Sequence, residues 1–185
     1  MKDFLSFLWE VAKIFILAAV IVIPIRYFLF QTFVVSGASM EPSFDNGDYL
    51  IVDEISYKIN PLCRGDVVVF HYPLKPKARF IKRLIGLPGE TVEIKDGKVK
   101  IYNSQYPVGR ILDESAYLPK DTYTPGNVKV TLKENQYFMM GDNREFSFDS
   151  REWGPLEKKY IIGKVRFRLF SFRKMPSLGV ILNKI

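Results

Sequence analysis

Two residues of this chain have the types and neighbours of a nucleophile and a base. Ser39 lies in "GASMEPSFDNGDYL" (residues 37–50), where Gly37, a small residue, Ser39 and Met40 meet Pro42 and an acidic turn directly after an apolar stretch. Such a serine is either a turn residue or a nucleophile, and the second role needs a base from elsewhere in the chain. His71 is the single histidine, so a Ser-His-Asp triad would depend on it alone, and its setting "VVVFHYP" reads as a strand end before a turn. Carboxylates and lysines remain. A lysine acts as a base only when neutral, which takes an apolar, desolvated pocket that pulls its pKa down from ~10.4. In "RFIKRLIGLPGE" Lys82 is flanked by Phe80, Ile81, Leu84 and Ile85, and on a strand its side chain points to the face opposite Arg83. On that stretch alone, solvated surface charges are the plainer reading of Lys82 and Arg83.

The elements that must carry these residues begin with an apolar amino-terminal segment. The uncharged run "IFILAAVIVIPI" between Lys13 and Arg26 is too short to cross a bilayer of ~30 Å. Read from Phe4 to Ile25 it has 22 residues, about 33 Å of helix, with Glu10 and Lys13 spaced to pair on one face. A cleaved signal peptide is the alternative, but the nearest small-x-small triplet, Ser36-Gly37-Ala38, lies far downstream. The segment is therefore read as an uncleaved anchor, with Arg26 and "YFLF" near the far interface. Lys2 and Lys13 precede the span and Arg26 alone follows it before Lys58, which favours a cytoplasmic amino terminus.

After residue 32 the pattern changes to short β-branched and aromatic runs, each bounded by Gly, Pro, Asn or Asp: "DYLIVDEIS", "GDVVVFHY", "RFIKRLIGL", "TVEIKDGKVKIY", "NVKVTLKENQYFMM" and "IIGKVRFRLF". "TVEIKDGKVKIY" reads as a hairpin. The expected architecture is mainly β: residues 1–31 form a cytoplasmic stub and transmembrane helix, and 32–185 an extracytoplasmic, curled or closed antiparallel β domain. Residues 103–127, with three prolines and mixed charge, read as a surface insertion, a solvated loop or small lid.

Composition narrows the function classes. A chain of 185 residues that is 48% hydrophobic and 25% charged has room for one cored domain and is not a disordered protein. Cys63 and His71 are each alone, which excludes an internal disulfide and cysteine- or histidine-rich metal sites. The net charge of +7 is concentrated after residue 156, where eight Lys and Arg face the single acidic Glu157. A basic, aromatic end such as "KVRFRLFSFRK" suits anionic lipid beside an anchored chain better than nucleic acid, and a solvated strand face is the plainer reading.

Three separated motifs, in order, resemble those of the bacterial type I signal peptidases (leader peptidases), membrane-anchored serine peptidases with a Ser-Lys dyad. "SGASMEPSF" is similar to the nucleophile segment, "FIKRLIGLPGE" to the base segment, and "MGDNREFSFDSREWG" (residues 140–154) to the third motif; the likeness runs from the anchor to about Gly163. It implies Ser39 as nucleophile, Lys82 as general base, and Ser147 as the hydroxyl that hydrogen-bonds the lysine amine. Asp149 and Arg151 would form the supporting ion pair, and Phe33, Val35, Met40, Phe44 and Ile81 shallow substrate pockets. The backbone N–H of Ser39 is an available oxyanion donor. One departure is Gly37, where some members carry a serine that helps hold the oxyanion; Ser36 lies one residue further back, and the second donor is open.

The implied activity is removal of signal peptides from secretory precursors after small residues, through an acyl-enzyme, with no metal and no other cofactor. Rival readings are a membrane-tethered β domain that only binds a partner, a self-cleaving repressor-like Ser-Lys peptidase, and a triad built on His71.

Overall fold

The computed structural model describes residues 2–120 and 122–170, with backbone alone at residues 2, 3, 5, 21–30 and 170. Helix α1 (Lys2–Leu29) has 28 residues, about 42 Å at ~1.5 Å per residue. Its apolar side chains are exposed, among them Phe7, Trp9, Ile14, Phe15 and Leu17. Lys13 Nζ lies 2.6 Å from Glu10 Oε1, the pairing expected one turn apart. Among the described residues no helix is long and apolar enough to cross a membrane. The side chains of Arg26 and "YFLF", and the basic tail beyond Phe170, lie outside the described residues.

The rest is antiparallel β structure. The strands are β1 (Phe30–Val34), β2 (Tyr49–Asp53), β3 (Val67–Tyr72), β4 (Lys75–Gly86), β5 (Thr91–Lys95), β6 (Lys98–Tyr102), β7 (Arg110–Ile111), β8 (Val128–Thr131), β9 (Gln136–Met140), β10 (Leu156–Glu157) and β11 (Ile161–Phe170). Short helical turns occur at α2 (Ser56–Ile59) and α3 (Ser150–Trp153). Seven strands form one sheet in the order β1-β2-β11-β3-β4-β9-β10, and four form a second, β7-β6-β5-β8. Both sheets are open, which corrects the expectation of closure. Two of their edges are instead blunted by length, since β7 and β10 have only two residues each and offer little template for pairing.

The hairpin expected at "TVEIKDGKVKIY" is β5–β6. Its two-residue turn has positive φ at both central positions, 51° at Asp96 and 74° at Gly97, the geometry that follows strand twist. The alternating Val92, Ile94, Val99 and Ile101 all face a core cluster that also takes Ile85, Phe138 and Met140. Leu84 and Met139, on the other faces of β4 and β9, join Phe70 and Leu156 in a second cluster. Burial on both faces explains why these two strands read as continuous apolar runs. The run "NVKVTLKENQYFMM" is not one strand: a turn at Lys133–Gln136, closed by Gln136 N–H to Lys133 O at 3.0 Å, sends β8 to one sheet and β9 to the other.

Residues 103–127, expected as a solvated insertion, have an inner face. Leu118 and Thr124 are buried, and Leu112 N–H and Thr124 N–H donate to Val99 O and Gly97 O, each at 2.9 Å.

Asp53 ties three elements together. Its carboxylate accepts from the backbone N–H of Ile55 (3.1 Å) and Ser56 (2.8 Å) before α2, and from Arg166 Nε on β11 (3.0 Å). Burial alone pushes its pKa up, but the Ser56 and Ile55 donors and Arg166 outweigh that and lower it from 3.8 to about 2. The unfolded chain therefore takes up the proton first as pH falls, so the stabilisation is complete above pH 3.8 and gone below about 2. Asp53→Asn is expected to lower unfolding free energy by about 2 kcal/mol at pH 7. Urea denaturation at a series of pH values should show the gap between parent and variant vanishing through that window.

Candidate active site

The loop after β1 carries Ser39, and hydrogen bonds close it from both sides. Val35 N–H donates to Asp48 O and Gly47 N–H to Val35 O, each at 2.9 Å, while Gly37 N–H donates to Asn46 Oδ1 at 2.9 Å. From the third motif, Asn143 donates through its backbone N–H to Ser39 O and through Nδ2 to Ala38 O, both at 3.1 Å. Ser39 is thereby held on both sides by backbone pairing rather than by its own side chain.

Lys82 reaches that loop from β4, at the register position opposite Val68. Its Nζ lies 2.6 Å from Ser39 Oγ and donates to Ile81 O at 3.1 Å. The residue is only 4% exposed, and the amine stands 5.7 Å from the centre of the Phe80 ring. Burial lowers its pKa from 10.5 to about 8; the charges of Asp149 and Asp142 oppose that fall and Arg151 assists it. Ser39 Oγ hydrogen-bonds this amine and not the imidazole, since His71 Nδ1 is engaged with Pro76 O at 2.7 Å in the β3–β4 hairpin.

The third motif forms the floor. Arg151 clamps Asp149 through Nε to Oδ1 and Nη2 to Oδ2, both at 2.8 Å, and Asp149 Oδ2 also accepts from Gly141 N–H at 3.0 Å. Gly141 sits where a side chain has no room: a Cβ there would come within 2.2 Å of Ser147 Oγ and 2.3 Å of Ser39 O. Ser147 is thus brought beside the Ser39 backbone. Its buried Oγ has no hydrogen-bond partner among the described residues, so the expected bond to the Lys82 amine is not formed.

Sequence reasoning passed over a second layer of charge. Arg83 is not a solvated cation; it is 8% exposed and binds Asp142 through Nε (2.8 Å) and Nη2 (2.5 Å), Gly65 O (2.8 Å) and Ser43 Oγ (3.1 Å). Arg144, equally buried, donates to Gly141 O at 3.0 Å and pairs with Glu114. The available signal was the density of charge in "GDNRE" and "KR" within otherwise apolar surroundings, because buried charges come in pairs.

In front of the Ser39–Lys82 contact lies a cleft of about 320 Å³. Phe33, Val35 and Ile81 line it, joined by Leu50, Val69, Phe80, Phe146 and Phe148. Met40 and Phe44 do not: Met40 is fully buried, and Phe44 packs against the cluster of Val35, Leu50, Val52 and Val69 beneath the loop. A buried amine with a lowered pKa beside a hydroxyl, at the end of an apolar cleft, is an arrangement suited to base-assisted nucleophilic attack.

Residues 8–170 match the family described as signal peptidase, peptidase S26, and the chain belongs to it. It is a serine peptidase of the signal peptidase I kind, as its relatives are named. It is 35% identical over 179 residues to a probable signal peptidase I-2 of Synechocystis sp., covering 94% of this chain and 77% of that one. It is 37% identical over 173 residues to the signal peptidase I of Bacillus licheniformis, covering 91% of each. A crystal structure of a signal peptidase I from Enterococcus faecalis superposes with a TM-score of 0.47 at 30% identity, covering 58% of this chain and 98% of that one.

The crowding at Gly141 gives a direct test. Gly141→Ala forces either the Ser39 carbonyl or the Ser147 side chain to move, and a displacement near 1 Å at a reacting group costs on the order of 100-fold in rate. Steady-state cleavage should show that loss in kcat, with circular dichroism unchanged from the parent.

Proposed function

We propose that the chain removes signal peptides from secreted precursor proteins through a Ser39–Lys82 dyad. The observation that carries this is the 2.6 Å approach of a buried lysine amine to a serine hydroxyl. Neutral Lys82 takes the proton of Ser39 as Oγ attacks the scissile carbonyl carbon, and the backbone N–H of Ser39 receives the developing oxyanion. The lysine then passes that proton to the leaving amine as the C–N bond breaks, leaving an ester on Ser39. Water, deprotonated by the same amine, hydrolyses the ester and frees the signal peptide with a new carboxylate. Ser147 offers a buried, unpartnered hydroxyl to direct the amine during these transfers, and the Asp149–Arg151 pair holds the turn on which it stands. No step calls on a metal or other cofactor.

With a pKa of about 8, roughly a tenth of Lys82 is neutral at pH 7, against less than a thousandth for an ordinary lysine. The cleft walls Phe33, Val35 and Ile81 leave shallow apolar space, which suits small side chains at the first and third positions before the bond. Incubation of the purified protein in detergent with a precursor peptide tests both points. Ser39→Ala and Lys82→Ala should each abolish cleavage in folded protein, and kcat/KM should rise with pH to a plateau with a midpoint near 8. Peptides with Phe at either small-residue position should be cut at least 100-fold more slowly than the Ala peptide; equal rates would refute the pocket assignment.

α1 is assigned as a membrane anchor. Between Phe4 and Ile25 its only charges are Glu10 and Lys13, which pair with each other, and among the described side chains Phe7, Leu8, Trp9, Ile14, Phe15, Ile16, Leu17 and Val20 are exposed. Lys2 before the span and Lys13 on its near side, against Arg26 alone beyond it, put its amino terminus in the cytoplasm and the β domain outside, where precursors emerge. Tethering confines enzyme and substrate to one plane and raises their effective concentration. The full chain reconstituted with lipid vesicles should stay with the vesicles through an alkaline carbonate wash; release into the supernatant would reject the anchor.

A further inference from the structure

None of residues 112–118 lines the cleft in front of the dyad. The segment is tied to the four-stranded sheet by the Leu112–Val99 backbone bond, and Leu118 is buried. Two of its side chains reach arginines beside the dyad segments, Arg144 in the third motif and Arg83 on β4. Glu114 accepts from Arg144 Nη1 at 2.7 Å and from Nη2, and also from the Tyr117 hydroxyl at 2.7 Å. Tyr117 lays its ring against Arg83, with Cζ 4.0 Å from the ring centroid, a cation–π contact between a buried guanidinium and an aromatic face. Burial and the Glu114 charge push the tyrosine pKa up, so the hydroxyl remains a donor to Glu114 at any working pH.

Resting on the dyad reading above, we propose that Glu114 and Tyr117 are positioning residues of the peptidase: they immobilise two arginines that hold the backbone on either side of Ser39 and Lys82. Arg83 follows Lys82 directly, and its other bonds go to Asp142, to Gly65 O and to Ser43 in the nucleophile loop. Arg144 holds Gly141 O, and Gly141 is the residue packed against the Ser39 carbonyl. The three catalytic segments thus meet on Arg83 and Arg144, and both arginines are locked from the far side by one strand-free segment. A guanidinium freed on one face gains room to swing, and the Ser39–Lys82 distance changes with it.

The test compares Tyr117→Leu, Tyr117→Phe, Glu114→Gln and Ser39→Ala in the full chain, in detergent, with one precursor peptide. Tyr117→Leu and Glu114→Gln should lower kcat about ten-fold with KM within two-fold, a loss expected of displaced catalytic groups. Tyr117→Phe, which keeps the ring on Arg83, should recover most of that loss and fall about three-fold. The pH midpoint of kcat/KM should move upward in Tyr117→Leu by about half a unit, because Asp142 loosened from Arg83 leaves more negative charge near the amine. A merely structural role would instead reduce activity in step with the folded fraction and leave the midpoint in place. That result overturns the proposal, as does a kcat within two-fold of the parent in both variants or a loss confined to KM. Should Tyr117→Leu not fold, an unchanged kcat and midpoint in Tyr117→Phe and Glu114→Gln overturns it equally. Ser39→Ala that still cuts sinks the dyad reading and this inference together, whereas inactive Ser39→Ala beside fully active Tyr117→Leu sinks this inference alone.

Discussion

Everything in the molecule bears on keeping one amine dry. Holding the Lys82 pKa at about 8 rather than 10.5 costs the folded state about 3 kcal/mol, a sizeable part of a typical domain's stability of ~5–15 kcal/mol. The position on β4 makes that tolerable. Lys82 Nζ stands 5.7 Å from the ring of Phe80, which packs against the cluster of Phe70 and Leu84, so apolar packing beside the amine is also packing that holds the sheet. On the dyad reading, stability and function draw on the same side chains, and loosening that cluster would admit water to the amine.

The carboxylates around the site set the lower limit of that pKa. Asp149 and Asp142 each raise it, and left bare they would raise it further. Each is matched instead by a bidentate arginine, Arg151 and Arg83, and the Arg151 charge offsets part of that rise while the hydrogen bonds remain. Buried ion pairs of this kind contribute little net stability, since desolvation offsets the attraction, but the geometry they impose is strict. Here they fix Gly141, Ser43 and the carbonyl of Gly65, the backbone against which the nucleophile loop and the base strand are set.

Legibility in the sequence followed the range of the interactions. The β5–β6 hairpin is readable because its alternation and its turn residues are contiguous, whereas Lys82, in its apolar neighbourhood, reads by itself as a solvated charge and is singled out by the motif around it. Arg83 shares that neighbourhood, yet its burial is invisible without Asp142, 59 residues away. Glu114 and Arg144 are 30 residues apart, so neither announces a partner. The split of residues 128–140 between two sheets is hidden for a different reason: a strand apolar on both faces and a strand pair in tandem give the same run of letters. Met40 and Phe44 have the character of pocket residues, and only the three-dimensional course of the loop turns them inward while Phe146 and Phe148 from the third motif reach the cleft.

The pairing of β4 explains why the cleft lies where it does. β3 pairs with β4 from Lys75 to Arg83, but β9 joins only from Arg83 onward. Upstream of that point, residues 79–82 have a strand on one side alone, and the other side opens on the cleft facing residues 33–39. An open strand edge inside an apolar groove is unusual, because exposed edges invite unwanted pairing. It is useful where an extended peptide must be gripped by its backbone, since edge hydrogen bonds accept any sequence and leave discrimination to the side-chain pockets. Lys82 stands at the last position before β9 closes that edge. On the proposed dyad reading, a peptide laid along it would end its run where the Ser39 hydroxyl and the desolvated Lys82 amine meet, so the point at which the strand pairing changes would also select the bond presented to them.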